Sequence, residues 1–443
     1  MNGTIAPTAI TDTRIAAAQV MGELRSGELL DAAFDRRTSR LDARDRRWAR
    51  ELVYGSLRKR SVLDAYLSER VKGGFGRLDG DLIDLLRLGA YQLLFMGSVP
   101  AYAAIGQTVE LAKKRHGIGA SKLVNAVLRR LDRDRDNLAL PVSADPVQAL
   151  ALEHSHPNWM VARWVGRWGL EETRRLLAAN NSEAPLAARP MHVVREQLEA
   201  ALEAADVHVE DAPLVRDSLV LAGPIASLRE LSAFKKGQFH LQDPASTLVT
   251  LYAAVPSGAI VADICAAPGG KAIELARTAS VVFASDLSYQ RLRRVQENIE
   301  RLELENVRAF VADGRKPAAR QMDLVLLDAP CTGTGTFRRH PDARWRLKPS
   351  DLAVMAALQR ELLQSAAAQV RPGGLLVYST CSLEPEENDA QVERFLRENP
   401  TWQVEPPPAG SVPASVLDSG LLRVLPQVHG TDGAFAVRLR KVG

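Results

Sequence analysis

The chain has 443 residues, 46% hydrophobic and 25% charged, the make-up of a globular protein of two to four domains. Its three cysteines, Cys265, Cys331 and Cys381, are too few for a disulfide framework, and no apolar run approaches the roughly 20 residues of a membrane span. Residues 1–9 lack the basic and apolar regions of a signal peptide, so a soluble cytoplasmic protein with no membrane partner is expected. The net charge of +4 is uneven: residues 1–140 hold 24 Lys and Arg against 17 Asp and Glu, and the remainder holds 33 against 36. A basic first third suits phosphate neutralisation by a nucleic-acid-binding module, and equally a solvated helical surface.

Residues 10–135 repeat apolar positions at helical spacing: Leu82, Leu85, Leu86, Leu88, Leu93 and Leu94, then Ile105, Val109 and Leu111, then Leu123, Val127, Leu128 and Leu131. Gly73-Gly74 and Gly117-Ile118-Gly119 punctuate them. The spacing predicts an all-α bundle of about six helices over residues 1–140. Residues 141–240 read as a linker and a small α+β subdomain. A helix over 157–180 carries Trp159, Trp164 and Trp168, spaced as core residues. Strands are expected over 189–194, 207–209 and 218–221, with a helix over 196–205.

From 241 to 443 apolar strands alternate with helices. Strands are expected at 260–264, 281–286, 307–312, 324–328 and 375–380, and helices at 270–277, 289–302, 352–370 and 385–399. Such repeats predict a parallel, doubly wound, Rossmann-like sheet. Residues 421–426 and 435–439 suggest an antiparallel edge pair.

The first strand-to-helix turn reads Asp263-Ile264-Cys265-Ala266-Ala267-Pro268-Gly269-Gly270-Lys271. Its small residues let a ligand approach the backbone, but it is neither a dinucleotide fingerprint nor a phosphate loop. Asp286 closes the second strand, Asp313 follows the third and Asp328 closes the fourth. An acidic group about 20 residues past the first turn suits two ribose hydroxyls, and one after the third strand suits an adenine amino group. Together they suit an adenosyl ligand carrying a positive sulfonium. The plainer reading of each Asp alone is a helix or turn cap.

Cys331 follows the fourth strand in Asp328-Ala329-Pro330-Cys331, and Cys381 follows the fifth in Tyr378-Ser379-Thr380-Cys381-Ser382. A lone Cys is most often a small buried hydrophobe, but two of three here converge on one sheet edge. No C-x-x-C spacing or His cluster accompanies them, so no metal is expected. Beside a methyl-sulfonium donor, a thiolate adding to carbon 6 of a pyrimidine makes carbon 5 nucleophilic. Asp328 is placed to stabilise the adduct near the ring nitrogen. This picture has two sulfurs flanking one ring, and the residues alone do not rank them.

Residues 265–271, the Asp328-Ala329-Pro330-Cys331 segment with Arg338-Arg339-His340-Pro341-Asp342, Gln242-Asp243-Pro244-Ala245-Ser246 before the core, and Thr380-Cys381-Ser382 with Pro385-Glu386-Glu387-Asn388 resemble the signatures of the RNA cytosine-C5 methyltransferase superfamily. The first third is similar to the NusB antitermination-factor domain. The combination resembles the bacterial 16S rRNA methyltransferases of the RsmB (Sun/Fmu) type over nearly the whole chain, most specifically in residues 240–390. That resemblance implies a class I S-adenosylmethionine-dependent methyltransferase domain. It implies Cys381 as nucleophile and Cys331 as the group that assists release. It also implies that Cys265, Ala266, Ala267, Pro268, Gly269, Gly270, Lys271, Asp286, Asp313 and Asp328 bind S-adenosylmethionine. Its implied partner is unassembled 16S rRNA and not DNA, met by a monomer. The tail departs from the family at Ala434, where a second aromatic residue is usual after Asp432-Gly433.

Arg338, Arg339, Arg344 and Arg346 are the expected phosphate contacts beside the target base, and Arg36, Arg37, Arg40, Arg44, Arg46, Arg47 and Arg50 form a second basic cluster. Three rival readings stand at this point. A DNA-type enzyme would attack through the Pro-Cys thiol, Cys331. A tRNA cytosine-C5 methyltransferase would share the same core. A non-catalytic RNA-binding assembly or antitermination factor would need only the first domain.

Overall fold

The computed structural model describes residues 10–223 and 228–442. The chain forms two compact units. The first runs to Asn181 and takes in His340–Arg346; the second starts at Ser182, runs to Arg339 and resumes at Leu347.

Six helices open the first unit: Asp12–Arg25, Leu30–Thr38, Ala43–Arg58, Arg60–Ser68, Gly80–Phe95 and Ala101–Asp134. Of the leucines that set the periodicity, Leu85, Leu86, Leu128 and Leu131 are 0–1% exposed in one shared core. Asp42 and Asp79 start two of the helices by accepting hydrogen bonds from the amides of Asp45 and Asp81, each at 2.8 Å. Gly117, at φ 81°, bends the longest helix where the Gly-Ile-Gly signal lies. Helices Pro146–Glu153 and Asn158–Asn181 complete this unit. Of the three tryptophans on the latter, Trp164 is enclosed, at 1% exposure, while Trp159 and Trp168 are half-buried.

The second unit begins with a small antiparallel sheet. Its strands are β1 (Leu186–Pro190), β2 (His208–Asp211), β3 (Leu219–Ala222) and β4 (Phe239–Leu241), in the order β2-β3-β1-β4. The first strand lies three residues earlier than expected. β4 has only three residues, too short to show a pattern of its own; it is defined by pairing with β1 at Arg189 and His240.

The large sheet contains β5 (Ile260–Ile264), β6 (Val281–Asp286), β7 (Val307–Val311), β8 (Met322–Asp328) and β9 (Val370–Thr380), all parallel, in the order β7-β6-β5-β8-β9. β10 (Trp402–Val404), β11 (Leu417–Asp418), β12 (Leu421–Val424) and β13 (Ala434–Lys441) add an antiparallel edge, with β13 against β9. The expected edge pair is therefore β12 and β13, and it is joined to the parallel sheet. Ala434 packs at 7% exposure in the core beside β12. Alternate residues of each strand feed two separate cores. Val261, Leu324, Leu326 and Val377 enter one; Ala262, Val325, Leu327 and Leu376 enter the other. A sheet covered on both faces explains why its strands read as unbroken apolar runs. The chain winds outward from β5 through β6 to β7 on one side and through β8 to β9 on the other. The crevice between the carboxyl ends of β5 and β8 is thus the switch point where doubly wound sheets bind ligands.

Candidate active site

The loop after β5 reaches that crevice in a tightly held form. Cys265 sits at φ 63° and Gly269 at φ 102°, and Gly269 leads into helix Gly270–Leu275. A Cβ on Gly269 would lie 3.1 Å from the Val295 side chain, so both its backbone conformation and its packing call for glycine. A Cβ on Gly314, after β7, would lie 2.9 Å from Ile264 and Leu362. These glycines let the loops after β5 and β7 pack closely against Val295, Ile264 and Leu362, and the loops line a cradle at the crevice.

Carboxylates surround the cradle. Asp286 is 4% exposed; its Oδ1 accepts from the Ser288 amide at 2.9 Å and its Oδ2 from the Ala267 amide at 3.3 Å. Asp328 accepts from Lys271 Nζ at 2.7 Å and from Ser379 Oγ at 2.8 Å. Burial pulls the Lys271 ammonium down, but Asp328 outweighs it and holds the group above its ordinary value. Asp313 is clasped by Arg315 at 2.8 and 3.0 Å, which lowers its carboxyl to about 2.

Asp263 was not among the expected ligand residues. It is fully buried, and neither carboxylate oxygen has a hydrogen-bond partner among the described residues. Burial first, and then the nearby charge of Asp328, push its carboxyl well above the usual range. A buried carboxylate without donors costs free energy unless a bound cation or donor completes it. The sequence signal was available: Asp263 is the acidic residue inside an otherwise apolar strand.

Cys331 and Cys381 come together with their sulfurs 3.3 Å apart. The cause is register: Asp328 pairs with Ser379, so the turns after β8 and β9 leave the sheet side by side. Glu387 then locks the two turns. Its carboxylate, fully buried, accepts from the Thr332 amide at 2.9 Å, from Gln359 Nε2 at 3.0 Å and from the hydroxyls of Thr332 and Ser382. Thr332 and Ser382 directly follow the two cysteines. Asn388 adds a bond from Nδ2 to the Ser382 carbonyl at 2.8 Å. Gly335 donates its amide to the Cys381 carbonyl at 3.0 Å, and a Cβ there would approach that oxygen to 2.7 Å. The hydrogen bond to Cys381, and then burial, hold the Cys331 thiol well above its ordinary pKa. Cys265, beside the cradle, is pushed up to about 12 by burial and by Asp286.

One expectation changes here. A ring held between two sulfurs needs them roughly 7 Å apart, two contact distances. Sulfurs at 3.3 Å leave no room for a pyrimidine between them in this arrangement.

Family models match three stretches of the chain: "16S rRNA methyltransferase RsmB/F" over residues 251–440, the "NusB family" over 11–133, and an RsmF/B-like ferredoxin-like domain over 156–227. The "Ribosomal RNA small subunit methyltransferase B" of Vibrio cholerae is 36% identical, covering 98% of both chains. The "Probable ribosomal RNA small subunit methyltransferase B" of Synechocystis sp. is 34% identical, covering 94% of this chain and 96% of the relative. The chain belongs to the RsmB/F methyltransferase family. A solved structure titled for PH0851 shares its fold at a TM-score of 0.81 and 27% identity, over 98% of this chain and 100% of that one. NSun6 from Pyrococcus horikoshii, solved with SFG, shares the fold at 0.57 and 23% identity, over 64% of this chain and 97% of that one.

The protein is thus a methyltransferase with a NusB domain, and its cofactor is S-adenosylmethionine. The cradle fits that group. The orphaned Asp263 offers an unfilled buried polar group, Asp286, Asp313 and Asp328 supply carboxylate acceptors, and the loop lacks a phosphate-binding form. No helix among the described residues is long and apolar enough to cross a membrane. Among the described residues no three His, Cys, Asp or Glu are grouped to hold a metal.

The arginines expected to hold phosphates are engaged within the protein, and the expectation is corrected for three of the four. Arg338 donates to Asp432 at 2.7 Å, Asp243 at 3.0 Å and the Gly430 carbonyl at 3.0 Å. Arg339 bonds the same two carboxylates and the Pro185 carbonyl at 3.1 Å. Arg344 is fully enclosed and donates to Asn181 Oδ1 at 2.7 Å and the Asn180 carbonyl at 2.9 Å. Arg346 pairs with Asp342 at 3.1 Å and keeps 43% of its side chain exposed. In the other cluster Arg36 and Arg37 share Glu23, and Arg46 pairs with Asp35, all on an exposed face.

Proposed function

We propose that this protein methylates carbon 5 of a cytosine in 16S rRNA through a covalent thiolate adduct. The observation that carries the reading is the contact between Cys331 and Cys381 at the carboxyl ends of β8 and β9. The resemblance of Thr380-Cys381-Ser382 to the family signature assigns the attack to Cys381, acting as a thiolate.

S-adenosylmethionine, held by residues 265–271 with Asp263, Asp286, Asp313 and Asp328, supplies an electrophilic methyl group. The chain's own residues do the rest. Cys381 adds to carbon 6: the sulfur–carbon bond forms, and the ring electrons shift toward carbon 5 and the ring carbonyl. Lys271 and Asp328, bonded to each other, offer a donor and a proton-sharing partner for the charge on the ring. Bonding Cys381 to carbon removes its hydrogen bond to Cys331 and its charge, two of the causes that hold the Cys331 proton. Cys331 can then release its proton to solvent and, as a thiolate, take the carbon-5 proton. The electron pair left behind restores the double bond and expels Cys381.

The relatives named for ribosomal RNA of the small subunit support that substrate, as does the NusB match. The test is an RNA adduct that resists denaturation. Cys331→Ser should accumulate it, Cys381→Ser should not, and bisulfite sequencing should find one cytosine of 16S rRNA modified only with the wild-type protein. An adduct in Cys381→Ser and none in Cys331→Ser would reverse the roles. Modification of tRNA alone would refute the substrate.

A further inference from the structure

A cavity of about 330 Å³ opens in the first unit, within the size range of small-ligand sites. Met21, Leu57, Ile83 and Trp345 form its apolar wall, and Arg60 and Asp342 are polar groups of its lining. Most charges around it are matched: Arg87 holds Asp64 at 2.7 and 2.8 Å and Asp84 at 3.0 Å, and Arg25 holds Asp81 and Asp84. Arg60 differs. Its guanidinium stacks over the Trp345 ring, 5.0 Å from the ring centre, and among the described residues it has no ion pair or hydrogen bond. Burial, and then the charge of Arg87, hold it below its ordinary pKa. Trp345 is fixed in turn by a bond from Nε1 to the Leu57 carbonyl at 2.9 Å.

A half-buried guanidinium with its donors unused, laid on an indole and facing a partly apolar cavity, is built for a flat ligand with a pair of acceptors. A bare anion has no use for the apolar wall. A guanine ring answers each feature. Its N7 and O6 accept the arginine fork, its face suits the apolar wall, and its N1–H and amino group are donors for a carboxylate such as Asp342, whose Oδ2 also accepts from Arg346. We propose that this cavity holds one unstacked guanine of the RNA substrate, apart from the cytosine that is methylated. The proposal rests on the reading of the substrate as RNA.

The test uses the full-length protein, with guanosine 5′-monophosphate, adenosine 5′-monophosphate and inorganic phosphate as calorimetric probes. Guanosine monophosphate should bind saturably and at least roughly tenfold tighter than adenosine monophosphate, and phosphate should not compete. Arg60→Gln and Arg60→Lys should both lose that binding by tenfold or more. Both should raise the RNA dissociation constant and leave S-adenosylmethionine binding and kcat at saturating RNA unchanged. Full rescue by Arg60→Lys would mean that a point charge suffices and would overturn the guanine reading. Equal binding of phosphate, or RNA affinity indifferent to both variants, would overturn it too. The two readings fail separately. Methylation with an RNA affinity insensitive to Arg60 removes the cavity alone. Arg60-dependent guanosine monophosphate binding without methylation of any rRNA removes the reaction alone.

Discussion

Residues 328–332 and residues 338–339 lie within a dozen positions of each other, and both looked reactive in the sequence. The first stretch holds a thiol whose sulfur contacts the sulfur of Cys381. The second holds two guanidiniums whose charges are already neutralised by Asp243 and Asp432. The difference lies in where the partners come from. Cys331 and Cys381 are brought together by the register of two adjacent parallel strands, which the strand pattern foretells. The partners of Arg338 lie 94 and 95 positions away along the chain, and nothing near the arginines announces them. A reactive residue type close to a sheet edge therefore indicates chemistry only when no distant charge has already matched it.

The strongest way to break this comparison is to remove both guanidiniums. Arg338→Ala with Arg339→Ala leaves Asp243 and Asp432 enclosed without their cations. Breaking buried pairs in this way costs roughly 3–5 kcal/mol. Urea denaturation of the second unit should shift to a much lower midpoint, while the slope of RNA affinity against salt, measured under conditions where the variant is folded, should stay unchanged. A slope lowered by about two phosphate contacts, with stability intact, would return these arginines to the RNA.

The same contrast governs how much could be read before folding. Strands β5 to β9 carry runs such as Leu324-Val325-Leu326-Leu327 that have no other use than a sheet covered on both faces. From their order the switch point follows, and with it the loop 265–271 and the Asp residues around it. β4 and β10 have three residues each and exist only through pairing with β1 and β13. Glu387 reads in the sequence as one of two adjacent glutamates, and its fourfold acceptance depends on Thr332 and Gln359 from other elements. Local pattern reveals what is periodic; matched charges and long-range clamps become visible only once the chain has closed.

A middle-sized effect separates Glu387 from the paired arginines. It is also a buried charge, but its donors flank both thiols. Glu387→Gln keeps the shape and replaces one acceptor by a donor, so one or two charged hydrogen bonds are weakened. A fall in kcat of roughly ten- to a hundredfold is expected, with S-adenosylmethionine affinity unchanged. Equal losses in kcat and in thermal stability, without any change in the pH profile of Cys331 alkylation, would reduce Glu387 to a structural group.

The smallest effect concerns the thiol pair itself. Cys331 is raised first by its hydrogen bond to Cys381, then by burial, then by the charge of Cys381, with Glu387 adding less. A raised thiol pKa means that the reactive thiolate forms only at higher pH, so iodoacetamide should modify Cys331 along a profile displaced to the alkaline side. Cys381→Ser removes two of those causes and leaves burial and Glu387. The midpoint for Cys331 should then move toward lower pH, toward the free-thiol value but still above it. Mass spectrometry of the alkylated peptide across pH reads this directly. Cys265, raised to about 12 by burial and by Asp286 instead, serves as the internal reference and should not move. A Cys331 midpoint indifferent to Cys381 would show that the two sulfurs do not share a proton, and the proton-taking role proposed for Cys331 would fall with it.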